Sequence, residues 1–320
     1  MKSKICLIVP YFGKFNNYFQ LFLNSCKFNP EINWLFFTDD QSKYDYPSNV
    51  KVIYMTFSEF RKKIQSKFDF KISLERPYKL CDYKCAYGYI CSDYLIGYDF
   101  WGYCDIDLIF GKITDFITEE LLRKYDKIGV LGHFTIFRND ETINRLFMSE
   151  IDGTQYYRNV YQDNKSYIFD EEFNRSINTI FEEQKRHLCY FNAFANLYTK
   201  TSDFKLITLD IDSRKYIVEK RKRAFFVWEN GSLSRYYLLN GKLVKEDFMY
   251  MHLMRRKMKV RVNTDLNRYK IIPNAFEPLG LQNIYSDNLH REKAKHFNLH
   301  YFRIRTNNLI NKIKMRFEHE

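Results

Sequence analysis

The chain has 320 residues, 45% of them hydrophobic and 28% charged, which excludes disordered, collagenous and low-complexity classes and leaves one large globular domain or two modest ones. Aromatic content is high at 18% while Gly (11) and Pro (6) are scarce, so rings partly replace aliphatic side chains in the core and some tyrosines are expected where rings, sugars or partners bind. The net charge of +12 is local: residues 214–262 carry 14 basic against 4 acidic side chains, and 286–320 carry 8 against 4. Such an excess suits nucleic acid, a nucleotide diphosphate or an anionic membrane, or is a solvated basic face.

Seven cysteines are scattered without a CxxC pair, which speaks against zinc and against a disulfide framework and for buried thiols in a reducing cytoplasm. The apolar run Ile5–Val9 is too short for a signal peptide, and no run approaches the ~20 residues of a membrane span. A soluble or peripheral protein is expected.

In chain order, Lys4–Pro10 reads as a buried strand, Asn16–Phe28 as a helix, and Trp34–Thr38 and Val50–Tyr54 as further strands. This opening predicts an α/β protein with a parallel sheet. Pro77–Leu95 reads as one long helix, Asp99–Cys104 as a strand delivering Asp105 and Asp107, and 113–124 as a helix. Short strands follow at Lys127–Leu131 and Phe134–Phe137, then helices at Thr142–Glu150 and Asp170–Gln184. From residue 204 the period shortens to that of antiparallel strands, with turn signals at Asn230-Gly231 and Asn240-Gly241. The last fifty residues, after Pro273 and Pro278, read as appended.

The most informative stretch is 98–111, YDFWGYCDIDLIFG. In an extended backbone Asp105 and Asp107 face the same way, at the carboxyl end of a parallel strand, where such sheets bind ligands. Paired carboxylates suit Mg²⁺ or Mn²⁺; a capping or loop pair is the plainer alternative. A second D-x-D, Asp210-Ile211-Asp212, reads as a turn.

Seven segments in order resemble GT-A-fold glycosyltransferases, more narrowly a little-characterised bacterial branch associated with capsular and exopolysaccharide synthesis. They are PYFGKFNNYF (10–19), FFTDD (36–40), RPYKLCDYKCAYG (76–88), GYDFWGYCDIDLIFG (97–111), GHFTIFRN (132–139), FVWENG (226–231) and FMYMHLMRRKM (248–258). The resemblance implies a GT-A-like Rossmann-type mixed sheet with flanking helices, antiparallel strands in the C-terminal half and an appended helical tail. Its expected divisions are 1–135 for the nucleotide sugar, 136–262 for acceptor and catalysis, and 263–320 as a basic tail. The implied activity is metal-dependent transfer of a hexose, galactose or glucose type favoured, from a UDP-sugar to a glycan or lipid-linked acceptor. The implied place is the cytoplasm, including the inner face of its membrane.

On this resemblance Pro10, Tyr11, Phe12 and Asp39 lie at the base and ribose, Arg76, Lys79 and Asp82 at phosphate or sugar, and Asp105, Asp107 and His252 on Mn²⁺ or Mg²⁺. Arg255 and Lys257 hold the diphosphate with Asp105 nearby through the metal. His133, Asp170 and Glu171 are the catalytic candidates; ordinary loop, ion-pair and helix-dipole roles are the alternatives for each. Related enzymes usually place glycine in the loop after the late histidine, and this chain has none there. In 302–317, Leu309, Ile310, Ile313 and Phe317 fall near one helical face among Arg303, Arg305, Lys312, Lys314 and Arg316, as an interfacial helix on an anionic membrane or a helix docked on the domain. Competing functions are nucleic-acid binding, from the charge and aromatics, and sugar-nucleotide binding without transfer; no nucleic-acid motif is present.

Overall fold

Buried β-branched and aromatic runs bounded by polar loops build the N-terminal sheet. In the computed structural model, which describes residues 2–171, 173–292 and 297–317, β1 (Ile5–Pro10), β2 (Ile32–Thr38), β3 (Val50–Tyr54) and β4 (Phe100–Cys104) are parallel neighbours in the order β3-β2-β1-β4. The strand Phe134–Arg138 runs antiparallel beside β4, followed by Lys127–Ile128 and Leu188–Cys189, giving seven strands. The strand order reverses between β1 and β4, and a crevice opens at the carboxyl ends of such a pair.

The chain divides into two compact units. The first comprises Met1–Phe19, Cys26–Ile106 and Thr114–Asn192; the second comprises Gln20–Ser25, Asp107–Ile113 and Ala193–Glu320. Aromatic packing dominates the core of the first: Trp101 stacks on Phe137 at 4.4 Å and Tyr83 on Tyr161 at 4.1 Å between ring centres. The buried indole N–H of Trp101 donates to Asn144 Oδ1 at 2.6 Å, so its burial leaves no polar group unsatisfied.

Several expected helices differ: 113–124 is a 3₁₀ turn Ile113–Asp115 and a helix Glu119–Lys124, Thr142–Glu150 is a helix Glu141–Arg145 and a 3₁₀ turn Leu146–Met148, and two depart further. Pro77–Leu95 is a ten-residue 3₁₀ helix, Pro77–Ala86, then a single α-turn Tyr87–Ile90 and a 3₁₀ turn Ser92–Tyr94. Asp170–Gln184 is helical only over Ile177–Glu183, capped by Ser176, so Asp170 and Glu171 lie in the turn before it rather than at a helix start. Glu172 lies outside the described residues.

The second unit holds a six-stranded sheet whose centre pairs Phe225–Glu229 with Ser232–Leu239 and with Arg268–Ile272. Residues 268–277 therefore belong to the sheet and not to an appended tail. Both Asn-Gly turns form as read: Asn230, Gly231, Asn240 and Gly241 all have positive φ, the backbone that two-residue hairpins require. Asp210 accepts from the Ser213 N–H at 2.9 Å and from its hydroxyl, the turn expected there. A three-stranded sheet places Tyr250–His252 between Leu108–Phe110 and Phe194–Asn196. The helix His300–Phe317 closes the chain. No described helix is long and apolar enough to cross a membrane.

Candidate functional site

In the first unit β4 stops at Cys104, and 105–107 form a turn rather than two more extended residues. The extended-strand reason for pairing Asp105 with Asp107 therefore does not apply. Asp105 is gripped by Lys84, whose Nζ lies 2.8 Å from Asp105 Oδ1, donates to the Gly132 carbonyl at 2.7 Å and lies 3.5 Å from Asp170 Oδ2. Burial disfavours the charged amine, yet Asp105 and Asp170 outweigh it and hold Lys84 well above its usual range. Burial pushes Asp170 up to about 7, Glu171 and Asp105 adding to the rise against the pull of Lys84.

Around this pair, Glu171 Oε2 accepts the Gly132 N–H at 2.7 Å. A Cβ at Gly132 would lie 2.4 Å from Asp170 Oδ2, so any side chain there would displace the Asp170 carboxylate. His133 is buried beside it, and its carbonyl accepts the Asp105 N–H at 2.9 Å. The first unit thus brings together Asp105, Gly132, His133, Asp170 and Glu171. Lys84, at their centre, escaped sequence reasoning. In a 3₁₀ helix residues three apart eclipse, so Cys81 and Lys84 share one edge while Lys79, Asp82 and Cys85 share another; reading the segment at the α-helical period hides that division.

Lys79 and Asp82, expected at the nucleotide, have no exposed side-chain surface and bond each other at 2.8 Å. Lys79 also donates to the carbonyls of Val160 and Lys165, and Asp82 accepts the N–H groups of Tyr167 and Phe169. The pair clamps the segment leading to Asp170. Arg76, just ahead, is exposed.

At the carboxyl ends of β1 and β2, Asp39 Oδ1 accepts the Gly13 N–H at 2.7 Å, and Tyr11 N donates to the Phe37 carbonyl at 2.9 Å. Pro10, Tyr11 and Asp39 therefore meet at the crevice end. Phe12 is turned away into the core against Phe57 and Phe60.

In the second unit, strand register brings Asp107 and His252 together. His252 pairs with Leu108 on one side and Asn196 on the other, and Leu253 N–H bonds the Asp107 carbonyl at 2.9 Å, so Asp107 sits against the imidazole. His252 Nε2 is 3.4 Å from Asp107 Oδ1, and Nδ1 lies 3.1 Å from Asn196 Oδ1. Protonated, the imidazole forms an ion pair with this carboxylate; neutral with its proton on Nδ1, it turns an Nε2 lone pair toward the same side, where a cation could take the proton's place. Burial works to raise the Asp107 carboxyl, but His252 and the Arg255 N–H hold it well below the usual carboxylate range.

Arg255 N donates to Asp107 Oδ2 at 2.7 Å. Met254 and Arg255 both adopt left-handed φ, 52° and 55°, the conformation that glycine serves most cheaply; the missing glycine is thus replaced by two strained residues. Arg255 and Lys257 are exposed. Arg256 points the other way, buried, its guanidinium donating to the carbonyls of Thr201, Ser202, Asp203 and Pro273.

No curated protein matches the chain. Among solved structures it is similar to a galactosyltransferase, LgtC, in complex with donor and acceptor sugar analogs, at 11% identity over 61% of this chain and 75% of that chain, with a TM-score of 0.33. That likeness is too slight to establish the fold. A family model matches residues 7–280, nearly the whole chain, and the protein belongs to that family, the Family of unknown function (DUF6625).

Proposed function

We propose that this protein is a metal-dependent glycosyltransferase that moves a hexose, of galactose or glucose type, from a UDP-sugar to a glycan acceptor. In this reading the acceptor is lipid-linked and the reaction serves bacterial surface polysaccharide synthesis at the inner face of the membrane. The observation that carries it is the Asp107–His252 pair, a carboxylate oxygen and an imidazole nitrogen 3.4 Å apart, with Asp105 two residues upstream. Two carboxylates and one imidazole fit Mn²⁺ and, less well, Mg²⁺. When bound, the ion would offset charge developing on the departing diphosphate.

The chain's own residues then divide the work. Arg255 and Lys257 supply the further positive charge a diphosphate needs beyond a metal already neutralised by two carboxylates. Tyr11 and Asp39 flank the base and ribose. Asp170, near neutrality in its affinity for a proton, takes the proton of the acceptor hydroxyl, with Glu171 and His133 shaping its surroundings. Lys79 and Asp82 act on this site only by fixing the segment before Asp170.

Donor hydrolysis needs no acceptor and tests the reading. UDP-sugars should release UDP in Mn²⁺ and not in excess EDTA, and Asp107→Ala or His252→Ala should lower the rate by about a hundredfold or more. Thermal shift offers a second readout: UDP with Mn²⁺ should stabilise the wild type and not the variants, while single-stranded DNA should not. Wild type that hydrolyses donor undiminished in EDTA, or variants that match the wild-type rate in Mn²⁺, would overturn it.

A further inference from the structure

The C-terminal helix carries an apolar stripe that the described residues leave uncovered. Phe302, Leu309 and Ile313 recur at helical spacing on one face and are 63%, 59% and 46% exposed, with Ile310 beside them at 44%. Arg305 and Lys312 line one edge of the stripe and Arg303 the other by the same periodicity. From 293 to 317 the sequence has seven Lys and Arg and no Asp or Glu. The stripe is therefore apolar at its centre, cationic at both margins and free of acids.

The start of the helix, by contrast, is fixed. His300 is buried, and Asn298 Nδ2 donates to the Ser202 carbonyl at 2.9 Å. Arg256 donates to that same carbonyl at 3.1 Å. One carbonyl thus ties the helix to the loop that carries Arg255 and Lys257. The 18 residues extend about 27 Å from this anchor.

We propose that this face lies flat in the headgroup layer of an anionic lipid membrane. Aliphatic side chains enter the acyl boundary while the flanking cations reach outward to lipid phosphates. A second copy of the chain fits poorly, because a symmetric contact would set one run of seven cations against another. Nucleic acid fits poorly as well, since after Phe302 this face continues with Leu309, Ile310 and Ile313, which offer no further rings on which successive bases stack. The inference deepens the acceptor part of the proposed function, yet its test reads vesicle binding rather than transfer, so the two fail separately.

Full-length protein is sedimented with phosphatidylcholine vesicles made with and without phosphatidylglycerol. The expected result is co-sedimentation with the anionic vesicles, weakening as salt rises, and at least about tenfold less binding for both L309S/I313S and R305E/K312E. Both changes are on exposed positions, and unchanged thermal melts and circular dichroism confirm that each variant is folded. Wild type that stays in the supernatant, or an L309S/I313S variant that binds as wild type does, overturns the proposal. So does a dimer in solution that the same variant abolishes without any vesicle binding, which would assign the stripe to a second copy.

Discussion

At the residue scale, Asp170 is the acid whose environment differs most from water among the catalytic candidates. Its carboxyl titrates at about 7 because burial, Glu171 and Asp105 all oppose its charge. If it accepts the acceptor's proton, kcat/KM for transfer should fall tenfold per pH unit below about 7, and Asp170→Asn should lower it by roughly a hundredfold or more while removing that acid limb. A pH–rate profile of the two proteins checks this; an unchanged acid limb in the variant would assign the limb to another group. Residue identity was legible in sequence for Asp105, Asp107 and His252, because a D-x-D after an apolar strand and a histidine ending another are local patterns. Lys84 was not legible, because its partners, Gly132 and Asp170, lie 48 and 86 positions away along the chain and only the sheet brings them to it.

At the element scale, the ten-residue 3₁₀ helix Pro77–Ala86 is unusually long for its type, since such runs are commonly three or four residues. Its buried Lys79–Asp82 pair explains why it persists: each partner satisfies carbonyls or N–H groups of 160–169 that would otherwise be buried without bonds. Asp82→Ala should destabilise the protein by about 3–5 kcal/mol, because it leaves a buried ammonium unpaired. Replacing both residues by methionine and leucine should cost less than the single change, and denaturant unfolding of the two variants measures the difference. The N-terminal strands, their parallel sense and both Asn-Gly hairpins were legible, since β-branched burial and two-residue turn chemistry act over a few residues. The acidic start expected for Asp170–Gln184 was misread because acids favour a helix N-terminus in general, whereas here tertiary partners hold them in a turn. The strand Arg268–Ile272 was missed because the region of Pro273 and Pro278 reads as appended, and its pairing partners in Phe225–Glu229 lie about forty residues away.

At the scale of the whole molecule, stability carries the imprint of Lys127. Its ammonium group is fully enclosed, donating to the Gly129 carbonyl and to Asn178 Oδ1 beneath the rings of Phe137 and Phe181, and burial lowers its pKa to about 7. The unfolded chain holds that proton up to about pH 10.5, so between pH 7 and 10.5 the unfolded state binds more protons and this residue makes stability rise with pH. Below pH 7 its contribution is constant and unfavourable. Lys127→Met should flatten the alkaline rise, seen as a wild-type-minus-variant difference in unfolding free energy that changes only inside that window. The cysteines, described above only as isolated thiols, have a practical corollary. None of the seven is in a disulfide, six are buried, and the half-buried Cys81 is pushed up to about 12 by burial and its acidic neighbours, so thiolate is scarce on the native surface. A maleimide or disulfide reagent at neutral pH should modify the native protein slowly and release all seven sites together on unfolding. A single cysteine introduced at exposed Asn307 would then be the one fast-reacting position, which makes the wild-type background ready for site-specific fluorescence on the C-terminal helix without removing a native thiol.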